Sequence, residues 1–319
     1  MTITLALAGD TMLGRGVAEA LSDRDPESLV APDVVEAARS ADLFVLNLEC
    51  CISERGSPWP APGKPFHFRA PPAAVRTLNH LGVSCVTLAN NHALDFGREA
   101  LGDTLRHLED GGIAAVGAGP NQEAARRPVT LESSGFHLGV LGLTDHPADF
   151  AAGPDLPGVA FADLRTGVPS WVGGAVGSIE ADVVLVTPHW GPNMTPEPVP
   201  HVRRTARELL EAGATLVAGH SAHVFHGVAN RVLFDVGDFL DDYAVDQSLR
   251  NDLGLLWLVK LDRDGPLALE AVPLRLDYCF TRTAGGEDAA WIRERLQTAC
   301  ASFGTEVIER DGRFSVEAR

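Results

Sequence analysis

The sequence predicts an α/β protein, and three observations carry that prediction. Short apolar runs recur along the 319 residues without polar alternation, as expected for strands covered on both faces. Helix-like stretches lie between them. The runs also end in Asp, Glu, Asn or His, and an open α/β sheet gathers such ends at one edge, where ligands bind.

In chain order, Leu5-Ala6-Leu7-Ala8 is the first expected strand, closing on Gly9-Asp10. A helix is expected at 33–40, then a strand at Leu43-Phe44-Val45-Leu46 that closes on Asn47-Leu48-Glu49. Residues 53–72 carry Pro58, Pro60, Pro62, Pro65, Pro71 and Pro72 and read as a loop. A helix at 72–81, a strand at Cys85-Val86-Thr87-Leu88 ending in Asn90-Asn91-His92, and a helix at 97–111 follow. Leu138-Gly139-Val140-Leu141-Gly142-Leu143 precedes a second Gly/Pro-rich passage at 145–170. Long loops in compact domains are often functional, so both passages are expected to wall a cleft. Val183-Val184-Leu185-Val186 leads to His189, a helix follows at 201–213, and Leu216-Val217-Ala218 leads to Gly219-His220-Ser221-Ala222-His223. Val232-Leu233-Phe234-Asp235-Val236 is a further strand. Beyond 254, two strands at 255–261 and 267–276 join at Asp262-Arg263-Asp264-Gly265, and a helix at 287–302 and a strand at 305–309 complete the chain. Residues 1–250 are expected to form the core, with 251–319 completing the same domain.

Composition excludes several classes of function. Lys and Arg total 26 against 43 Asp and Glu, a net charge of −17, so no basic stripe for nucleic acid or an anionic membrane is expected. A small anionic substrate stays open, because a buried cation or a few aimed Arg side chains reverse the field locally. Only Lys64 and Lys260 occur, and Gly63-Lys64 precedes Pro65, so no phosphate loop of Walker type is present. The five cysteines form no C-x-x-C pair and read as reduced, packed thiols. The start lacks a basic region and a long apolar run, so the expectation is a cytoplasmic protein without a membrane anchor.

Asp10, Glu49, Asn91, His189, His220 and His223 are oxygen and imidazole donors suited to Mn, Fe, Co or Zn. Each alone also fits a structural role: Asp10 a turn or cap, Glu49 a loop carboxylate, Asn90-Asn91 a left-handed turn, His189 a core imidazole, His220 and His223 one helix face. Five strand ends, all of ligand type, favour a metal site. Two ions roughly 3.5–4 Å apart can share a hydroxide and clamp an ester or anhydride oxygen, and a carboxylate such as Glu49 can bridge them.

The ordered set Gly9-Asp10, Asn47-Leu48-Glu49, Asn90-Asn91-His92 with Asp95, His189-Trp190-Gly191 and Gly219-His220-x-x-His223 resembles the CapA family of poly-γ-glutamate capsule synthesis, a branch of the calcineurin-like metallophosphoesterase superfamily. The resemblance runs from about residue 3 to 240 and includes 64–71 and Val236-Gly237-Asp238-Phe239. It implies a four-layer αββα sandwich, two packed mixed sheets with flanking helices. It also implies that Asp10 and His223 hold one divalent ion, that Glu49 bridges, and that Asn91, His189 and His220 hold the second. His92 is then the general acid at the leaving oxygen, oriented by Asp95, since a carboxylate behind an imidazole fixes its tautomer. Two departures from the superfamily stand out: Met12 occupies the place of a ligand His, and Gly-His-x-x-His is one residue longer than Gly-His-x-His, with His226 as a substitute for His223.

Candidate substrate-binding residues are Asn90, Arg15, Lys64, His67 and Arg69. Arg15 follows the Asp10 turn with a fork suited to phosphate or carboxylate, and the other three cations concentrate in the Pro-rich loop. Surface ion pairs explain the same residues. The expected function is hydrolysis of a phosphoester or phosphoanhydride in a small anionic metabolite. Hydrolysis or transfer at an amide or γ-glutamyl bond, and a non-catalytic accessory role in acidic-polymer synthesis, are the alternatives.

Overall fold

The computed structural model describes residues 1–60 and 63–316; Pro62 of the Pro-rich loop lies outside that range. Two mixed sheets face each other. The first runs, from edge to edge, Val307–Arg310, Arg313–Val316, Gly265–Asp277, Leu253–Asp262, Ile3–Thr11, Leu43–Leu48, Cys85–Thr87 and Ala114–Val116. Asp238–Leu240 pairs in parallel with the end of Ile3–Thr11. The second runs Val228–Ala229, Val232–Leu233, Leu216–Ala218, Val183–His189, Phe136–Thr144 and Val129–Ser133. The four central strands of the second sheet are parallel, as are Ile3–Thr11, Leu43–Leu48, Cys85–Thr87 and Ala114–Val116 in the first.

The unbroken hydrophobicity of the runs has a direct cause. Leu5 and Leu7, Leu43 and Val45, and Leu255, Trp257 and Val259 face the second sheet, meeting Leu138, Val140, Val183, Leu185 and Leu216. The alternate residues Ala6, Ala8, Phe44, Leu46, Leu256 and Leu258 face a layer built by helices Arg15–Asp23, Pro32–Arg39, Ala74–Leu81 and Gly97–Asp110. Behind the second sheet, Val184, Val186 and Val217 pack with Val172 and Val176 of helix Ser170–Gly177 and Val202, Ala206 and Leu209 of helix Pro200–Glu211. The layers are therefore helix, sheet, sheet, helix, and period-2 strands read as continuous because both faces are buried.

Helix limits follow local chemistry. Pro32 and Pro200 open their helices, where a missing N–H costs nothing, and Gly82 closes Ala74–Leu81 at φ +78°. The 262–265 turn forms the expected hairpin, and helix Gly286–Ala301 sends Ile292, Leu296 and Cys300 into the layer between the sheets. Two expectations shift. The run 232–236 forms a strand only over Val232–Leu233, because Asp235 turns inward to bond backbone N–H groups. A strand at Arg313–Val316 adds to the one expected near 305–309, which begins at Val307. Helix Arg15–Asp23 was hidden by the absence of a capping side chain at Gly14. Among the described residues, no helix is long and apolar enough to cross a membrane.

Candidate metal centre

The site is built where the two sets of parallel strands end side by side. In Ile3–Thr11 the register against both neighbours slips around Asp10, a bulge of the kind that re-aims a side chain. Gly9 permits it: a Cβ there would lie 1.8 Å from the Gly237 carbonyl oxygen. The Asp10 N–H donates to that same oxygen at 3.0 Å, locking the bulge to the 235–238 turn. Asp10 is fully buried. Its Oδ1 accepts from Asn47 Nδ2 at 2.7 Å and lies 3.9 Å from His220 Nδ1, and its Oδ2 is 3.3 Å from His223 Nδ1.

Two groups of donors share Asp10. One is Asp10, His189 and His220; the other is Asp10, His223 and Asp238. His189 and His220 sit side by side on adjoining strand ends, with their Nδ1 atoms 2.8 Å apart. His223 Nδ1 also meets Asp238 Oδ1 at 2.9 Å. The longer Gly-His-x-x-His spacing works because Ser221 and His223 take left-handed backbone, φ +121° and +60°, which turns both imidazoles into the site. Asp235 holds that turn, accepting from the N–H of Ala222 at 2.8 Å and of Gly237 at 2.9 Å. Asp235→Ala is therefore expected to destabilise the protein by about 2–4 kcal/mol, since two buried N–H groups lose their acceptor, and to weaken metal binding roughly 10- to 100-fold. Denaturant melts and metal titration of the variant check both effects.

Whether the pocket suits a cation is decided by its unpaired atoms. Asp10 Oδ2, both Glu49 oxygens, Asn91 Oδ1, His189 Nε2, His220 Nε2 and Asp238 Oδ2 are all buried without a hydrogen-bond partner. Unsatisfied buried polar atoms are rare and costly, and these seven are oxygens or imidazole nitrogens able to present lone pairs. The donor set fits divalent ions. Electrostatics agree. Burial, then the neighbouring Asp10, pushes the Glu49 carboxyl well above the usual range; burial, then Asp241, does the same to Asp238. Burial holds His189 well down and His220 at about 4, so both imidazoles are neutral and able to offer a lone pair. Burial also lowers His223, but Glu49 and Asp10 outweigh it and raise its pKa.

These shifts give a pH signature. The carboxyls of Glu49 and Asp238, and of Asp241 at about 6, lie above their unfolded values near 4. Their contribution to the metal-free fold is thus full below about pH 4 and is lost as pH rises through the folded values. His92 and His220, near 4, act oppositely: their contribution is full above about 6.5 and lost as pH falls. A cation must displace protons from the carboxyls, so metal stabilisation is expected to grow with pH. At a metal concentration one hundred times Kd, Tm should rise by roughly 5–10 °C at pH 7.5 and far less at pH 5. Melts with manganese and with chelator at both pH values measure it.

His92 stands at the rim. Its Nδ1 meets Asp95 Oδ2 at 2.6 Å, its Nε2 lies 3.8 Å from Glu49 Oε1, and Phe68 stacks on its ring at 4.0 Å. Asp95 also accepts from Phe68 N at 2.6 Å and pairs with Lys64 Nζ at 2.9 Å, while Lys64 donates to the Asn91 carbonyl at 2.8 Å. The same lysine thus braces the Asn91 backbone and the His92–Asp95 pair. Burial pulls His92 down to about 4 against the opposing Asp95 hydrogen bond, so the imidazole is neutral near pH 7.

The other sequence candidates fall into place by their bonds. Asn90 donates through Nδ2 to Asn47 Oδ1 and the Leu48 carbonyl and accepts through Oδ1 from the His92 N–H, and so shapes the turn. Arg15 is paired with Asp242, its guanidinium 5.0 Å from the rings of Phe66 and Phe68. Arg69 donates to the Arg55 carbonyl and lies 4.2 Å from the Phe96 ring, and His67 meets the Trp59 carbonyl. Lys64 alone of the loop cations bonds to the residues of the site. His226 bonds the Thr195 carbonyl and is not in either donor group. Met12 is buried, its sulfur accepting from Gly14 N. The two long loops meet over the site: Trp59 donates to Asp149 at 2.9 Å, Lys64 lies 5.4 Å from the Phe150 ring, and His146 lies 5.1 Å from His189.

Sequence reasoning missed Asp238. It begins a strand rather than ending one, and enters the site because the register sets it opposite Asp10. The available signal was the run Asp235, Asp238, Asp241, Asp242 within an apolar stretch. Tyr243, whose ring edge faces His223 at 5.2 Å, carried no signal.

This arrangement of helix, sheet, sheet and helix is shared with solved structures. A novel phosphatase from Mycoplasma pneumoniae shares it at TM-score 0.53 and 12% identity, covering 86% of this chain and 94% of that one. A hypothetical protein from Thermus thermophilus does so at TM-score 0.50 and 17% identity, covering 86% and 99%. Residues 4–243 match the family described as bacterial capsule synthesis protein PGA_cap, and the chain belongs to that family. A Mycobacterium tuberculosis relative named "Probable polyglutamine synthesis accessory protein" is 30% identical over 97% of this chain and 94% of its own length. The Bacillus subtilis protein named "PGA biosynthesis protein CapA" is 27% identical over 75% of this chain and 63% of its own.

Proposed function

We propose that the chain is a metal-dependent hydrolase that cleaves a phosphoester or phosphoanhydride bond in a small anionic metabolite of the cytoplasm. The observation that carries the reading is the pair of donor groups sharing Asp10, with unpartnered buried oxygens on Glu49 and Asn91, beside a His–Asp dyad. Asp10, His189, His220, Glu49 and Asn91 would hold one divalent ion, and Asp10, His223, Asp238 and Glu49 a second. When bound, the ions supply Lewis acidity toward a phosphoryl oxygen and a water made acidic enough to attack at neutral pH.

The chain's own residues do the rest. Asp95 fixes Nδ1 of His92 as the protonated nitrogen, leaving Nε2 turned toward Glu49 and the site. An arriving phosphate dianion stabilises the imidazolium, so His92 takes up a proton with the substrate and passes it from Nε2 to the leaving oxygen. Phe68, stacked on the ring, keeps water from its face and fixes its tilt. Lys64 holds Asp95 and the Asn91 backbone in register.

A second reading has support in the names of the relatives, one a probable polyglutamine synthesis accessory protein and the other a PGA biosynthesis protein. It assigns the same site to an amide or γ-glutamyl bond, or to metal-dependent binding without turnover. The purified protein, supplied with manganese, cobalt or zinc, separates these. The hydrolase reading expects phosphate release from at least one member of a phosphorylated-metabolite panel. Glutamate release from γ-glutamyl peptides would move the chemistry to carbon, and bound metal without either product would make the protein non-catalytic.

A further inference from the structure

The unpaired atoms of the site are not all of one kind. Seven can present lone pairs to a cation. Tyr243 Oη is different: it is buried and without a partner, yet it carries a proton and needs an acceptor. A divalent ion relieves the seven and does nothing for this hydroxyl.

The ring is fixed in place. It lies 5.9 Å from Phe68, which stacks on His92, presents an 83° edge-on contact to His223 at 5.2 Å, and has the Arg15 guanidinium 5.6 Å from its centre. A phenol hydroxyl carries its proton at neutral pH and so acts as a donor. The nearby carboxylates of Asp10 and Asp238 belong to the two donor groups, and Asp241 Oδ2, itself buried and unpartnered, makes no hydrogen bond with the Tyr243 hydroxyl. A buried hydroxyl on a ring packed against His223 gains its hydrogen bond when a ligand brings an oxygen.

From this we infer that Tyr243 is a substrate-binding residue whose hydroxyl donates to an anionic oxygen of the bound group, a non-bridging phosphoryl oxygen or its tetrahedral equivalent. The inference rests on the hydrolase reading. It places recognition of the scissile group on Tyr243, at the start of the segment beyond strand Asp238–Leu240, and not on Arg15, whose guanidinium is held by Asp242.

Tyr243→Phe removes only the hydroxyl and keeps the ring contacts, and the manganese-loaded protein with inorganic phosphate as probe is the test. The variant should keep its metal content by elemental analysis and its Tm, because no existing hydrogen bond is lost. Phosphate should bind roughly 10- to 100-fold more weakly, the loss expected for a hydrogen bond to a charged acceptor, and KM for any phosphorylated substrate should rise. Equal phosphate affinity in the two proteins overturns the role of Tyr243 while leaving the hydrolase reading intact. Failure of the metal-loaded wild type to bind phosphate overturns the hydrolase reading, and this inference with it. A fall in metal content in Tyr243→Phe also overturns it, since the hydroxyl would then act through the ions and not on the substrate.

Discussion

Asp10→Asn is expected to abolish tight metal binding at both positions, lowering affinity by on the order of 10³ or more and removing hydrolysis with it; loss of a supporting residue alone costs 10- to 100-fold. The reason is geometric. Asp10 belongs to both donor groups, with Oδ1 turned to Asn47 and His220 and Oδ2 to His223. An amide has the same shape but one carbonyl oxygen and no charge, so one group loses its donor and the other its counter-charge. The effect on stability should run the other way. Without metal, Asp10 is a fully buried carboxylate beside Glu49 and Asp238, and its charge raises the pKa values of both. Neutralising it relieves that repulsion, so metal-free Asp10→Asn should melt at or above the metal-free wild type, and its Tm should not respond to manganese. Elemental analysis and paired melts read both effects. A variant that keeps two equivalents of metal would show that Asp10 is not shared.

The second large effect belongs to His92. His92→Gln should retain its metal, because the imidazole is tied to Asp95 through Nδ1 and is not among the proposed ligands. It should lose roughly 10²- to 10⁴-fold in kcat, the usual span for a positioned proton donor. The loss should depend on the leaving group. An alkoxide must be protonated as it departs, whereas a nitrophenolate leaves unaided, so the defect should shrink several-fold or more on nitrophenyl phosphate. Asp95→Asn should show a milder version of the same pattern, since the amide still accepts from Phe68 N but no longer supports an imidazolium. Equal losses on both substrates would assign His92 to binding and not to proton transfer.

Much of this was legible in the residues alone, for physical reasons. Strands buried on both faces leave unbroken apolar runs, and parallel topology sends their carboxyl ends to one edge. The residues terminating those runs, Asp10, Glu49, Asn91, His189 and His220, could therefore be read as neighbours. The helices expected at 33–40 and 201–213 form as Pro32–Arg39 and Pro200–Glu211, each opened by a Pro one residue before the expected start. What stayed hidden depends on register. Asp238 reaches the site from a strand's beginning, because the bulge at Gly9-Asp10 and the pairing to 238–240 set the two aspartates opposite each other. The reach of His223 depends on left-handed backbone at Ser221 and His223, which spacing does not reveal. The loop cations illustrate a third limit: Lys64, His67 and Arg69 lie close in sequence, yet only Lys64 turns to the site, because Arg69 stacks on Phe96 and His67 finds the Trp59 carbonyl.

The proposed chemistry turns on two divalent ions sharing Asp10 at the meeting of the two strand-end sets. Anomalous diffraction at the manganese edge from crystals grown with manganese measures this directly. Two peaks are predicted, one among Asp10, His189 and His220 and the other among Asp10, His223 and Asp238, each roughly 2.0–2.3 Å from its ligand atoms. No peak in this pocket at saturating metal, or peaks that leave Asp10 without an ion, would contradict it.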